Sequence, residues 1–186
     1  MPILRESFKA SRQTNVFHYE EEFYSLAEIL AIEGKLDFRH IIWMMNRILS
    51  LLGFLNKLDI VHGAVLPEHL LYHPTSHALK LVDWCYSTAS NYKLVAMMKA
   101  HEKMYPSEVI DKKFVTSATD TYMVVKVLHT AAKSIPKRFE EWFKWCGSAN
   151  HYARPQDPWI AQDVWKQLAE EEFGKPKYIK LTLPIH

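Results

Sequence analysis

Glycine is scarce in this chain. Among 186 residues there are five, Gly34, Gly53, Gly63, Gly147 and Gly174. None of them forms G-x-G-x-x-G, so no glycine-rich loop is available to wrap backbone amides around a phosphate chain. Cysteine is scarcer still. Cys85 and Cys146 allow one bridge at most, which excludes a disulfide-built fold and makes reduced thiols the expected state. An excess of one charge is also absent, with 23 basic residues against 21 acidic. That balance leaves no electrostatic footprint for nucleic acid or an anionic membrane surface. No stretch reaches the ~18 uncharged apolar residues of a membrane helix. The most apolar segment, residues 41–55, is interrupted by Asn46 and Arg47. The opening MPILRESFKA lacks the apolar run of a secretory leader. Neither Ser87 nor Ser107 sits in the G-x-S-x-G of a hydrolase nucleophile. These absences predict a cytoplasmic globular protein.

What is present suits one domain with a core of its own. Hydrophobic residues make up 48% and charged residues 24%, enough apolar mass for a chain of this length to bury roughly 70% of its unfolded surface. Ile3–Lys9 and Asn15–Tyr19 read as two short strands around the polar link Ala10–Thr14. Ser25-x-x-Glu28 is a capping box that opens a helix to about Ile32, and Gly34 stops it. Asp37 caps a long helix, Phe38–Lys57, whose apolar positions Ile41, Ile42, Met45, Ile48, Leu49 and Leu52 are too many for one face. Leu70–Tyr72 and Leu79–Val82 suit a small hairpin. Residues 86–117 are irregular, with a helix expected at Tyr92–Lys103. Helices follow over Thr121–Ala132, Pro136–Trp145 and Asp157–Phe173, and Lys175–His186 is expected to lie extended on the surface.

The densest signal is Val61–Leu71, VHGAVLPEHLL, followed by Leu81–Cys85, LVDWC. His62, Pro67, Glu68, Leu70 and Leu71 fall where protein kinases carry H-R-D-L-K-P-E-N-L-L, and Asp83 where they carry the Asp of D-F-G. Further along, Tyr105-Pro106-Ser107-Glu108 is similar to A-P-E, Thr119-Asp120-Thr121-Tyr122 to S-D-x-[WY], and Arg154-Pro155 to the R-P before the last helix. Such marks in one order are stronger than any alone. The chain therefore resembles the C-terminal lobe of the protein kinase superfamily, as a bacterial-type HGAxLPEHLL/VDW variant, over about residues 3–173.

The resemblance implies a mainly α (α+β) fold: a kinase-like C-lobe with a truncated N-lobe of about two strands. Residues 1–24 would form the residual N-lobe strands and hinge, 25–173 the helical lobe, and 174–186 an extended tail. It also implies scaffold roles. Glu108 should pair with Arg154, and Asp120 should accept backbone N–H bonds from the turn at His62–Gly63.

The chemistry implied by the same motifs is mostly missing. Phosphoryl transfer is positioning plus charge neutralisation. Ala64 stands in place of the base, Leu66 of the lysine, His69 of the metal-binding asparagine and Gly63 of the arginine. A general base alone contributes about 10²–10⁴-fold. The catalytic loop is thus degenerate at His62, Ala64, Leu66 and His69, and only Asp83 keeps its residue type, as a vestigial cofactor ligand. His62, His69, His73 and His77 are close in sequence, but Pro74 disfavours a helix there and no cysteine or acidic cluster joins them, so no metal site is expected. Trp142, Trp145, Trp159 and Trp165 suit core packing, with an exposed aromatic interface as the alternative.

The expected function is a catalytically inactive pseudokinase domain that binds a protein partner as a scaffold or regulator, without cofactor. Two alternatives stand beside it. One is a nucleotide-binding relative that holds ATP and magnesium through Asp83 and His69, with Glu68 as base. The other is one lobe of a split assembly, completed by a missing N-lobe.

Overall fold

The computed structural model describes residues 4–9, 13–17, 22–177 and 179–183, with the backbone alone for 13–17. Parts of the expected strand-and-hinge region, residues 1–3, 10–12 and 18–21, and of the tail, residue 178 and residues 184–186, lie outside the described residues. The fold is α+β, mainly helical with small antiparallel sheets.

Strands β1 (Leu4–Lys9) and β2 (Gln13–Phe17) pair antiparallel, and every β1 residue is exposed. Strand β3 (Tyr24–Ser25) leads straight into helix α1 (Leu26–Glu33). The Ser25 hydroxyl accepts the Glu28 N–H and the Glu28 carboxylate accepts the Ser25 N–H, at 3.2 and 2.7 Å. Helix α2 (Phe38–Lys57) is capped by Asp37, which accepts the Arg39 N–H at 2.9 Å. Phe38, Ile41, Met44, Met45, Ile48, Leu49, Leu52 and Leu55 of α2 are all buried. Each such side chain stabilises the fold by roughly 1.5–3 kcal/mol on leaving water, so α2 supplies much of the helical core.

A short strand β4 (Ile60–Val61) leaves α2 and pairs with β7 (Thr88–Ala89). Strands β5 (Leu70–Tyr72) and β6 (Leu79–Leu81) form the expected hairpin, and β3 joins it as a third strand on β5. After a four-residue helix α3 (Ser107–Ile110) come α4 (Ser117–Ala131), α5 (Glu140–Cys146) and α6 (Pro158–Phe173). Helices α4 and α6 both pack on α2. Asp157 caps α6 through the Trp159 N–H at 2.9 Å, with Pro158 in its first turn.

Three expectations need correction. The helix over Tyr92–Lys103 is absent. Tyr92 instead bridges to Val115, and only Lys99–Met104 forms 3-10 turns. Helix α4 begins four residues earlier than its pattern suggested, because Thr116 and Thr119 cap it reciprocally through their hydroxyls. Asp120 is therefore inside the first turn and its side chain is released for another task. The tail is extended but not superficial: Leu181 and Leu183 are buried in the core cluster, and the Leu181 N–H reaches the Pro74 carbonyl.

Candidate functional site

The turn at His62–Gly63 is built by one carboxyl group. Asp120 sits on buried α4 and its oxygens accept the N–H of His62 at 2.6 Å and of Gly63 at 2.8 Å. Gly63 has φ of +75°, a left-handed conformation that L side chains rarely adopt. A Cβ there would meet the Leu94 side chain at 2.5 Å and the Tyr86 carbonyl at 3.1 Å. Burial pushes the Asp120 carboxyl up to about 7, and the two amides act against that rise.

His62 is completely buried, with Trp84 edge-on to its ring at 4.7 Å. Its Nε2 lies 3.0 Å from the Val82 carbonyl, so the proton belongs there, and Nδ1 accepts the Ala64 N–H at 3.3 Å. Burial lowers the ring to about 4, with the Val82 bond opposing the shift. His62 thus ties the loop to the segment preceding Asp83 as a neutral brace.

Ala64 and Leu66 have no solvent exposure. Both point into the core, leaving the two positions expected to carry base and lysine as packing. His69 is buried between two acceptors: its Nδ1 is 2.8 Å from the Ala64 carbonyl and its Nε2 3.1 Å from an Asp83 oxygen. Asp83 is partly exposed and holds φ of +61°. Its other oxygen accepts from the Cys85 thiol at 2.8 Å. Desolvation first, and that bond second, push the thiol up to about 11, which favours its protonated form. Glu68 faces His101 at 3.0 Å.

The second anchor joins α3 to the turn before α6. Arg154 donates to both oxygens of Glu108, at 2.6 and 3.1 Å, and both side chains are buried. The guanidinium also donates to the carbonyls of Ser148 and Ala149 and lies 4.5 Å over the Tyr122 ring. Thr119 donates to Glu108 at 3.0 Å, and His151 stands 3.3 Å from the same oxygen. Burial alone would raise the Glu108 carboxyl. The Arg154 and Thr119 hydrogen bonds outweigh it and hold the group below its usual value.

The structure thus gathers His62, Ala64, His69, Asp83 and Asp120 around one loop and sets Glu108 and Arg154 together in a separate cluster. Reading the sequence missed Thr119 and His151 in that cluster. Thr119 was visible beside Asp120, whereas nothing marks His151 locally. Trp142 and Trp165 are buried, while Trp159 is half-buried over Gly53 with Lys57 5.4 Å from its ring. Among the described residues, no group of three or more His, Cys, Asp or Glu could hold a metal ion, and no helix is long and apolar enough to cross a membrane. No protein-family model matches the chain, and no curated protein matches it.

Proposed function

We propose that this chain is a protein-kinase-like C-lobe that has lost phosphoryl transfer and serves as a protein-binding or regulatory scaffold. One observation carries the reading: both bracing carboxyl groups are engaged, while the positions for base and lysine are buried alanine and leucine. Full burial of Ala64 and Leu66 keeps both side chains from a reacting phosphate. The residues present also fit a magnesium–nucleotide complex poorly. Asp83 already spends one oxygen on His69 and the other on Cys85.

Protein binding is supported by the segment that follows Asp83. Val95 is 98% exposed, and Tyr92 and Phe114 are both more than half exposed and adjacent through the Tyr92–Val115 bridge. Exposed apolar side chains beside one bridge support an interaction surface. A cytoplasmic location belongs to the same proposal.

The test is a thermal-shift titration of the full chain with ATP and magnesium or manganese. A ligand at 100 times its Kd would stabilise the fold by about 2.7 kcal/mol. The expected result is no shift with either metal. A shift that disappears in Asp83→Asn would replace this reading with the nucleotide-binding one.

A further inference from the structure

Apart from the His62 loop, α2, α6 and the returning tail line a half-open cavity of about 670 Å³. That lies inside the range of about 300–1,000 Å³ typical of small-molecule sites. Its walls include Trp43 and Ile42 of α2, and Trp165, Ala169 and Phe173 of α6. Gly174, with φ of +73°, turns the chain out of α6, and Lys175, Pro176, Lys177 and Ile179 form the third wall. The wall is anchored at both ends: the Trp43 indole N–H donates to the Lys177 carbonyl at 3.4 Å, and Leu181 and Leu183 are buried.

The charge around this cavity is one-sided. Arg39, Lys166, Lys175 and Lys177 line it, against Glu170 as the one acidic residue among the described lining residues. Arg39 is neutralised by Asp37 at 2.9 Å, and Lys166 stands 3.6 Å from Asp163. Lys175 and Lys177 have no acidic partner among the described residues and are exposed. An apolar interior with unpaired ammonium groups at its edge complements a molecule with an apolar body and one negative end.

From this arrangement we infer that the cavity binds a small amphipathic carboxylate, such as a medium-chain fatty acid. Its chain packs among Trp43, Trp165 and Phe173 and its carboxylate meets Lys175 and Lys177. The site is independent of the proposed function and stands whether or not the His62 loop is inert.

Calorimetric titration of the full chain with laurate, below its micelle concentration, tests the inference. One laurate should bind per chain, and dodecylammonium of equal length should bind about tenfold more weakly or not at all. Lys175→Glu combined with Lys177→Glu should weaken laurate about tenfold, because two exposed attractions become two repulsions. Both lysines are exposed, so the double variant keeps its fold. Ala169→Trp should fill the cavity and abolish binding. Absence of laurate binding, equal affinity for the ammonium compound, or unchanged affinity in the lysine variant would overturn the inference.

Discussion

Replacing Glu108 by glutamine removes one charge from a buried pair and keeps the shape. Arg154 would keep its bonds to Ser148 and Ala149 but would face a neutral amide, whose NH₂ group points at donors. Breaking a buried ion pair from one side costs about 3–5 kcal/mol, because the remaining charge is left uncompensated. A domain is stable by only about 5–15 kcal/mol in total. At this size each kcal/mol moves Tm by about 2–4 °C, so Glu108→Gln should melt roughly 6–20 °C lower. The sign of its pH dependence also follows. Glu108 titrates below its usual value when folded, so its contribution is present at neutral pH and is lost as acid protonates the folded carboxylate. The gap between wild type and variant should therefore narrow toward acid pH. Urea unfolding of Glu108→Gln, Arg154→Met and the double variant measures the coupling. The double variant should cost clearly less than the sum of the singles. A loss under about 1 kcal/mol for Glu108→Gln, or strict additivity, would refute the claim that this pair holds α3 to the turn before α6.

Gly63→Ala should destabilise the fold by roughly 1–2 kcal/mol in chemical denaturation, since an L-residue must hold the left-handed φ of +75°. An unchanged midpoint would mean that the turn is not held as described. Asp120→Asn isolates the other anchor. The Asp120 carboxyl is raised to about 7 when folded and returns to its ordinary value when unfolded, so it withdraws stability from wild type as pH rises between those values. The deficit of the variant should be larger at pH near 4.5 than near 8, by at least about 1 kcal/mol. Urea midpoints for both proteins at the two pH values check this, and a deficit that grows with pH contradicts it.

Local chemistry explains what could be read from the residues. Asp37, the Ser25–Glu28 box and Asp157–Pro158 act within a few residues of themselves, and the helices they open lie where their patterns place them. The start of α4 was displaced because Asp120 is a good cap residue in isolation, but Thr116 holds that position and Asp120 turns to a loop fifty-seven residues away. The pairing of Ile60–Val61 with Thr88–Ala89 and the burial of Leu181 and Leu183 depend on contacts between distant segments, which carry no periodic signal. The same limit hid His151. Its approach to Glu108 comes from the path of the chain between α5 and α6, and no neighbour of it in sequence announces that.

Transfer of labelled phosphate from ATP, by the purified full chain with magnesium or manganese and a generic protein acceptor, bears most directly on whether an intact frame surrounds a vacated reaction centre. Incorporation should be no greater than in a reaction without the chain. Incorporation above that background, abolished by Asp83→Asn, would contradict it.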